Sequence, residues 1–460
     1  MRWKHYITTA FLGLAVATPA ALAQDDWDDW GDDEEAGASS DGSSVDDSSG
    51  DSSSGDSTWD TEAWGDDAWE EESGGFPLYG FVELGLGGRL SDSDYHDRLS
   101  LGEARLRLET DGNWKQIGYT AKGDFVYDEV IDEWDAEFRE LTASLTLFEK
   151  VDVKAGRQVI TWGTGDYVFL NDLFPKDWQA FFIGRDDAYL KAPSDSLRLS
   201  GYFEWANVEL VWTPEFAPDT YPRGERLSLF NPATGGFIGK DQAFAAAEPD
   251  DDELALRVFR TIKSVEVALY GYDGYYKSPE AMSPEGFPTF TGLSALGASI
   301  RTPWGPGLFN AEVSHHESKA DTAGTNPRIP NSQWRGLVGY EKELITRLTG
   351  SVQLYLEHNQ DHSQRLAQSA HPEWEPEQNR TLVTTRLTWR DRRDYLTLSL
   401  FAFYSPSDED MHLRPRLDYR FGDNLSLSTG FNLFWGKSDH SFFGQFEDNN
   451  NAYARVRYAF

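Results

Sequence analysis

Histidine pairs are the first residues of this sequence that could bind a metal ion or catalyse a reaction. The chain has 460 residues, nine histidines and no cysteine, so thiolate metal sites and cysteine nucleophiles are excluded. His315 and His316 are adjacent, and adjacent residues of a strand point to opposite faces of the sheet. His358 and His362 begin a polar loop, where solvated side chains are the ordinary interpretation. We therefore predict no metal site, no cofactor and no catalytic residue.

The motifs of common enzyme families are also missing from the sequence. Gly430 and Gly436-Lys437-Ser438 are separated by five residues, whereas a phosphate-binding loop has four, and they lie on a predicted strand. The sequence contains no H-E-x-x-H, no G-x-S-x-G and no dinucleotide-binding fingerprint. A net charge of −37 is unsuited to nucleic acid, because phosphate binding needs a basic surface. The sequence predicts a protein that is not an enzyme and does not bind nucleic acid.

Arginine is the other residue type with a chemical consequence, because its guanidinium is permanently charged and binds anions. Eight arginines lie at alternate positions of predicted strands. When the Leu and aromatic residues of these strands face outward, the arginines face inward: Arg105, Arg107, Arg386, Arg414, Arg416, Arg420, Arg455 and Arg457. Such a wall inside a pore would select carboxylated polymers, fatty acids or phosphate groups. The alternative is a structural wall in which nearby acids neutralise the arginines, namely Glu83, Glu103, Glu109 and Asp418.

The elements that position these arginines are strands, because apolar residues recur at every second position from Phe76 onward. The predicted strands have about 10–13 residues, which exceeds the usual strand length and fits a tilted crossing of a bilayer. Short turns alternate with polar loops, of which the long ones lie near 164–193, 217–250, 279–289, 318–331 and 359–378. The sequence therefore predicts an all-β fold, a transmembrane antiparallel β-barrel of about 18 strands over residues 76–460, with sixteen strands as the alternative.

The N-terminal 75 residues differ in composition from the rest. Residues 1–23 have two early cations, an apolar run and an Ala21-Leu22-Ala23 cleavage site, so we predict a signal peptide, with a membrane anchor as the alternative. Residues 24–75 contain 20 acidic and no basic residues in a Ser/Gly background. They cannot bury enough apolar surface to offset the conformational entropy that is lost on ordering, so we predict a disordered acidic tail in the periplasm.

Tryptophans recur in this acidic tail. The sequence Trp-Gly-Asp-Asp occurs twice, at 30–33 and 64–67, and the tail contains five tryptophans: Trp27, Trp30, Trp59, Trp64 and Trp69. Because an isolated Trp is costly to leave in water, we predict that these residues dock to a periplasmic carrier or to the periplasmic part of an exporter. The alternative is chance repetition in a low-complexity segment.

The C-terminal residues 453–460 alternate in polarity and end in Phe460. This ending resembles the signal that outer-membrane barrels present to their insertion machinery. The resemblance implies that the protein resides in the lipid of a bacterial outer membrane and that Phe460 contacts the insertion machinery.

One block of the sequence resembles a known group of barrels. Gly156-Arg157-Gln158 is followed by Trp162-Gly163 and then by a D-x-F-P-x-D pattern starting at Asp172. Similar blocks occur in outer-membrane barrels of the alginate-export type and in porins associated with RND-type (MMPL-like) exporters. The resemblance implies an 18-strand-like channel for passive export or diffusion, and it does not identify the solute.

The same block begins a loop that is too apolar to extend into water. We predict that it folds into the lumen as a constriction or plug, with an external cap over the rim as the alternative. The constriction candidates are Trp162, Asp166, Asp172, Phe174, Pro175, Asp177 and Trp178. The sequence as a whole predicts a passive outer-membrane channel or export conduit, selective for anions and coupled to an export partner. The alternatives are a hydrolase at the barrel rim and a plugged structural or docking barrel.

Overall fold

The computed structural model of the protein describes residues 77–284 and 286–460. The predictions for the signal peptide, for the acidic tail and for its tryptophans lie outside these residues. Across the two described ranges, no helix combines the length and the apolar character that a membrane crossing requires.

Strands dominate the described residues. In chain order they are β1 (Tyr79–Arg89), β2 (Leu99–Trp114), β3 (Ile117–Asp128), β4 (Glu133–Leu147), β5 (Val151–Gln158), β6 (Ser194–Tyr202), β7 (Asn207–Thr213), β8 (Leu229–Asn231), β9 (Gly236–Ile238), β10 (Glu253–Ile262), β11 (Val265–Tyr275), β12 (Ala281–Met282), β13 (Pro288–Thr289), β14 (Gly292–Trp304), β15 (Gly307–Ser318), β16 (Gln333–Ile345), β17 (Leu348–Asn359), β18 (Asn379–Arg390), β19 (Leu396–Ser405), β20 (Asp410–Arg420), β21 (Leu425–Gly436) and β22 (Asn451–Ala459). Two short α-helices, α1 (Trp178–Ile183) and α2 (His362–Gln368), lie in loops.

Eighteen of these strands form one closed antiparallel barrel, which confirms the predicted fold class and strand count. Closure is direct, because β1 pairs with β2 on one side and with β22 on the other. The remaining four strands form two small hairpins, β8–β9 and β12–β13, within loops. Consecutive barrel strands are joined alternately by tight turns and by longer loops, as the sequence predicts.

The two faces of the wall differ in polarity. On β1, Val82, Leu84 and Leu86 are 43, 60 and 66% exposed on the outer face, whereas Glu83 between them is 6% exposed on the inner face. At the turn end, large aromatic side chains are exposed on the outside: Trp114, Phe148, Trp205, Trp304 and Phe421. An apolar outer band with an aromatic border and a polar interior is the pattern of a barrel whose solvent on the outside is lipid.

The turn between β2 and β3 is tight, because β2 continues to Trp114 and pairs there with Ile117. Gly112 is needed for packing, because an added Cβ would lie 2.7 Å from the hydroxyl of Tyr119 on the neighbouring strand. The glycine therefore makes room for an aromatic ring, and the chain reverses at residues 115–116.

The wall is lower where β5 ends. Within the described part of the chain, residues 133–140 of β4 pair only with β3, because β5 stops opposite Leu141. Gly156 has φ +120°, and an added Cβ would lie 2.1 Å from the carbonyl oxygen of Leu141. Glycine is therefore required two residues before β5 ends, which gives a physical reason for Gly156 in the distinctive sequence block.

Candidate functional site

The lumen loop, residues 159–193 between β5 and β6, lies inside the barrel. It starts five residues earlier than the predicted 164–193, because the chain turns inward directly after Gln158. Phe181, Phe182 and Ile183 of the loop are at most 2% exposed and form one cluster with inward residues of the opposite wall, among them Phe403 and Phe434. The loop therefore contacts the wall from inside instead of covering the rim.

Helix α1 gives this loop a fixed shape. The carboxylate of Asp177 accepts a 2.7 Å hydrogen bond from the backbone N–H of Ala180 and caps the first turn. Gly184 ends the helix with φ +89°, and an added Cβ would lie 2.2 Å from the ring of Tyr453 on β22. The helix is thus pressed against the wall at a position where only glycine fits.

A first anchor attaches the start of the loop to β15. Glu312 accepts hydrogen bonds from the backbone N–H and the hydroxyl of Thr164, and from the amide of Asn171 at 2.7 Å. Asn310, two residues before Glu312, donates to the carbonyl oxygen of Thr164 at 2.7 Å. Buried polar groups with several partners of this kind fix the position of a backbone segment.

A second anchor consists of two loop carboxylates and four wall arginines. Asp187 contacts Arg414 at 2.8 Å and Arg416 at 3.1 Å, both on β20. Asp186 contacts both Arg455 and Arg457 of β22 at 3.0 Å. Each aspartate therefore makes charge-assisted contacts with two arginines, which link the loop electrostatically to the wall.

The pKa values of the two aspartates follow from these neighbours. Burial would raise the pKa of Asp187, but the charges of Arg414 and Arg416 lower it to about 2. Burial would likewise raise the pKa of Asp186, and the charges of Arg457 and Arg455 hold it well below its usual value. Both carboxylates therefore stay ionised throughout the neutral range.

A third anchor lies on β2 and β3. Asp124 of β3 contacts Arg105 at 2.7 Å and Arg107 at 2.5 Å. Tyr189 of the loop donates its hydroxyl proton to Asp124 at 2.8 Å, and Arg105 lies 4.3 Å from the centre of its ring. The loop is thus held on this side through an aromatic side chain between two arginines.

The part of the wall around β11 holds the loop by apolar contacts. Trp162 packs edge-on against Phe174, with 4.9 Å between ring centres, and lies 6.1 Å from Tyr270 of β11. This second cluster is separate from the cluster around Phe181. Because the loop contacts β2, β3, β11, β15, β20 and β22, it crosses the lumen from wall to wall.

Three of the remaining constriction candidates, Asp172, Pro175 and Trp178, lie in one polar segment of the loop. Lys176 contacts Asp172 at 3.0 Å, and its backbone N–H donates to Asp219 of the next loop at 2.8 Å. The indole of Trp178 donates to the same Asp219 at 3.1 Å. The carbonyl oxygen of Pro175 accepts from the backbone N–H of Ala192 at 3.0 Å. Asp166 forms an ion pair with Arg386 of β18.

The arginine wall is paired with acids. All four acids that the sequence indicated contact arginines: Glu83 with Arg455 and Arg457, Glu103 with Arg105, Glu109 with Arg107, and Asp418 with Arg416. Four further acidic partners were missed, namely Asp124, Asp166, Asp186 and Asp187. The one available signal was the Arg185-Asp186-Asp187 triplet inside an aromatic-rich loop.

The histidines that are close together in the sequence have separate hydrogen-bond partners in the structure. His315 contacts Gln360 at 3.0 Å, whereas His316 points inward and contacts the carbonyl oxygen of Leu170 in the lumen loop at 3.0 Å. His358 contacts Asn379 at 2.7 Å. Among the described residues, no group of three or more His, Asp or Glu side chains is arranged to hold a metal ion.

Comparison with known proteins supports the fold. No protein-family model and no curated protein sequence matches the chain. Acinetobacter baumannii OccAB3 is 13% identical, with a TM-score of 0.51 over 83% of this chain and 98% of that chain. Pseudomonas aeruginosa OccK5 (OpdH) is 10% identical, with a TM-score of 0.50 over 83 and 96%, and A. baumannii OccAB1 is 9% identical, with a TM-score of 0.50 over 83 and 95%. At these identities the likeness concerns the fold alone.

Proposed function

We propose that the protein is a passive channel of the bacterial outer membrane whose lumen is narrowed by the loop of residues 159–193. The observation that carries this proposal is the combination of an apolar outer face with a charged inner face that a tethered loop crosses. Lipid outside and water inside is the environment that satisfies both faces of such a wall.

Solvent-accessible charges in the lumen support the proposal. Lys122, Arg198 and Asp418 point inward from strands and keep 34, 29 and 26% of their side-chain surface exposed. Charged groups with this exposure need water around them, because an unhydrated charge in a low-dielectric interior is strongly unfavourable. We therefore expect water along the inner wall, in a path that the lumen loop narrows.

Anion preference is a finer proposal. The eight lumen arginines would favour anions, but their carboxylate partners offset most of this charge, so we expect a weak preference at low salt. The resemblance of the Gly156-to-Trp178 block adds the proposal of an alginate-export-like or RND (MMPL)-associated barrel. In that arrangement residues 24–75 would contact a periplasmic carrier or exporter, and Phe460 the insertion machinery.

A plugged docking barrel is the second candidate function, favoured by the contacts of the lumen loop with opposite walls. Purified protein reconstituted in planar bilayers distinguishes the two. A passive channel gives stepwise currents that are linear in voltage, whereas a plugged barrel inserts without current. Heat-modifiable migration on gels, in outer-membrane fractions, is the matching test of the location, and recovery as a periplasmic protein would contradict it.

A further inference from the structure

A chamber, here called the vestibule, lies between the lumen loop and the other long loops. Its volume is about 2010 Å³. Phe169 and Trp178 of the lumen loop form part of its floor, and their ring centres are 5.9 Å apart. Both side chains are only half-buried, so part of each ring faces the chamber.

The hairpin β8–β9 lies over this chamber. Phe230 of β8 packs against Trp374, with 5.5 Å between ring centres, and against Phe237 of β9 at 6.1 Å. Gly235 in the hairpin turn has φ +67°, and an added Cβ would lie 2.7 Å from the Trp374 ring. The hairpin is therefore fitted closely to the loop that contains Trp374, and aromatic rings line the chamber from both segments.

The lining of the vestibule is unusually rich in phenylalanine. Of the lining residues that the structure describes, 18 are aromatic and 12 of these are Phe, of which six are not buried: Phe169, Phe230, Phe237, Phe244, Phe287 and Phe442. Phe has no polar edge, whereas Tyr and Trp also offer a hydrogen-bonding group. These rings suit a hydrocarbon body, and the polar side chains elsewhere in the lining suit a polar head group.

Charged residues of the same lining are largely paired with one another. Arg380 contacts Asp408 at 2.7 Å, and Arg365 contacts Glu375 at 2.5 Å. Lys277 contacts Glu253 at 2.6 Å. Because these cations already have carboxylate partners, the exposed rings are the surface that a hydrocarbon body would contact.

We propose that the vestibule binds small molecules with a hydrocarbon body, apolar or amphipathic, between the rings of Phe230 and Trp374 and those of Phe169 and Trp178. Its volume exceeds the about 300–1,000 Å³ typical of a pocket for one small molecule, so the chamber has room for an extended hydrocarbon chain together with water. The solute class that this assigns to the channel rests on the proposed function, but binding in the vestibule is independent of conduction.

Calorimetric titration of the full chain in amphipol tests the proposal, with decanoate and maltotriose as probes. We expect decanoate to bind and maltotriose to leave no measurable heat. The double variant Phe230→Ala/Trp374→Ala and the single variant Phe169→Ala should each weaken decanoate binding by about tenfold or more. Trp304→Ala, at the turn end of the barrel, is the matched control and should bind decanoate as the unaltered protein does.

Two results would overturn the proposal: tighter binding of maltotriose than of decanoate, or equal decanoate affinity in the control and in both vestibule variants. Gel migration before and after heating identifies variants that have not folded. If the double variant has not folded, Phe169→Ala alone provides the test. Currents in bilayers without decanoate binding would contradict the vestibule site and leave the channel standing. Decanoate binding without currents would support the vestibule site and contradict the channel.

Discussion

At the residue scale, the lumen arginines act mainly as partners of carboxylates. Arg105 and Arg457 are the cross-strand neighbours of Glu83 on its two sides, so charges of opposite sign alternate along the inner face. The Arg414 and Arg416 charges are directed at Asp187 of the lumen loop. The wall thus positions the loop, and its net field on a passing ion is smaller than eight cations would produce.

The first prediction concerns ion selectivity. Replacement of Arg414, Arg416 and Arg455 by Ser removes both arginine partners of Asp187 and one of the two arginine partners of Asp186 and of Glu83. We expect the reversal potential in a salt gradient to move toward cation preference at low salt, and this change to vanish near 1 M salt, where the screening length is about 3 Å. Arg347→Ser, at an exposed turn, is the matched control. An unchanged reversal potential in the triple variant would contradict the placement of these charges along the ion path.

The second prediction concerns pH. The pKa of Asp187 is lowered from 3.8 to about 2, so its ion pairs stabilise the bound loop above pH 3.8, and this contribution is lost as the pH falls toward 2. Burial raises the pKa of Asp166 to about 6, so its contact with Arg386 weakens near pH 6, and we expect a further rise in single-channel current below about pH 4 as Asp187 loses its charge. Asp187→Asn should show the higher current already at pH 7. A current that does not change between pH 5 and pH 2 would contradict the role of this anchor.

At the element scale, local sequence predicted the strands but not the contacts of the loop. Alternation of polarity is a local property, so the parity of strands such as β21 and β22 could be read directly from residues that are two apart. The Asp186–Arg455 contact joins positions 269 apart in sequence, and no local pattern contains that pairing. The need for glycine at position 112 could not be predicted from local sequence either, because it depends on the Tyr119 ring of a neighbouring strand.

The third prediction tests the packing of the loop. Phe181 is 2% exposed and contacts the rings of Tyr167 and Phe403. Phe181→Ala removes buried contacts that are typically worth about 3–5 kcal/mol, so we expect frequent transitions to a larger conductance level. Phe431→Ala, on the outer face of β21, is the matched control and should give the same current as the unaltered channel. If the two variants reached the larger conductance level equally often, the result would contradict a packed loop.

At the scale of the whole molecule, an even number of strands places both ends of the barrel on the same side of the membrane. Tyr79 begins β1 and Ala459 ends β22, and the two strands are hydrogen-bonded neighbours at the short-turn end. In an outer-membrane barrel this end faces the periplasm. We propose that the acidic residues 24–75, which precede β1, lie in the periplasm.

The fourth prediction concerns this acidic segment. Deletion of residues 24–75 should abolish co-purification of a periplasmic carrier or exporter, and Trp→Ala changes at Trp27, Trp30, Trp59, Trp64 and Trp69 should have the same effect. Two copies of the motif would raise avidity through effective concentration. Bilayer currents of the deletion variant should equal those of the full chain. Retained co-purification and transport in cells after deletion would show that the segment is a spacer.

The most direct test of a channel narrowed by its own loop is the single-channel conductance of two proteins, the full chain and a variant in which a short Gly-Ser linker replaces residues 165–190. The anchors through Tyr189, Asp186, Asp187 and Asp166 are all removed in this variant, while the strands that form the wall are kept. We predict small ohmic steps for the full chain and steps several-fold larger for the variant. Equal conductance in the two proteins, or no current from either, would contradict the account.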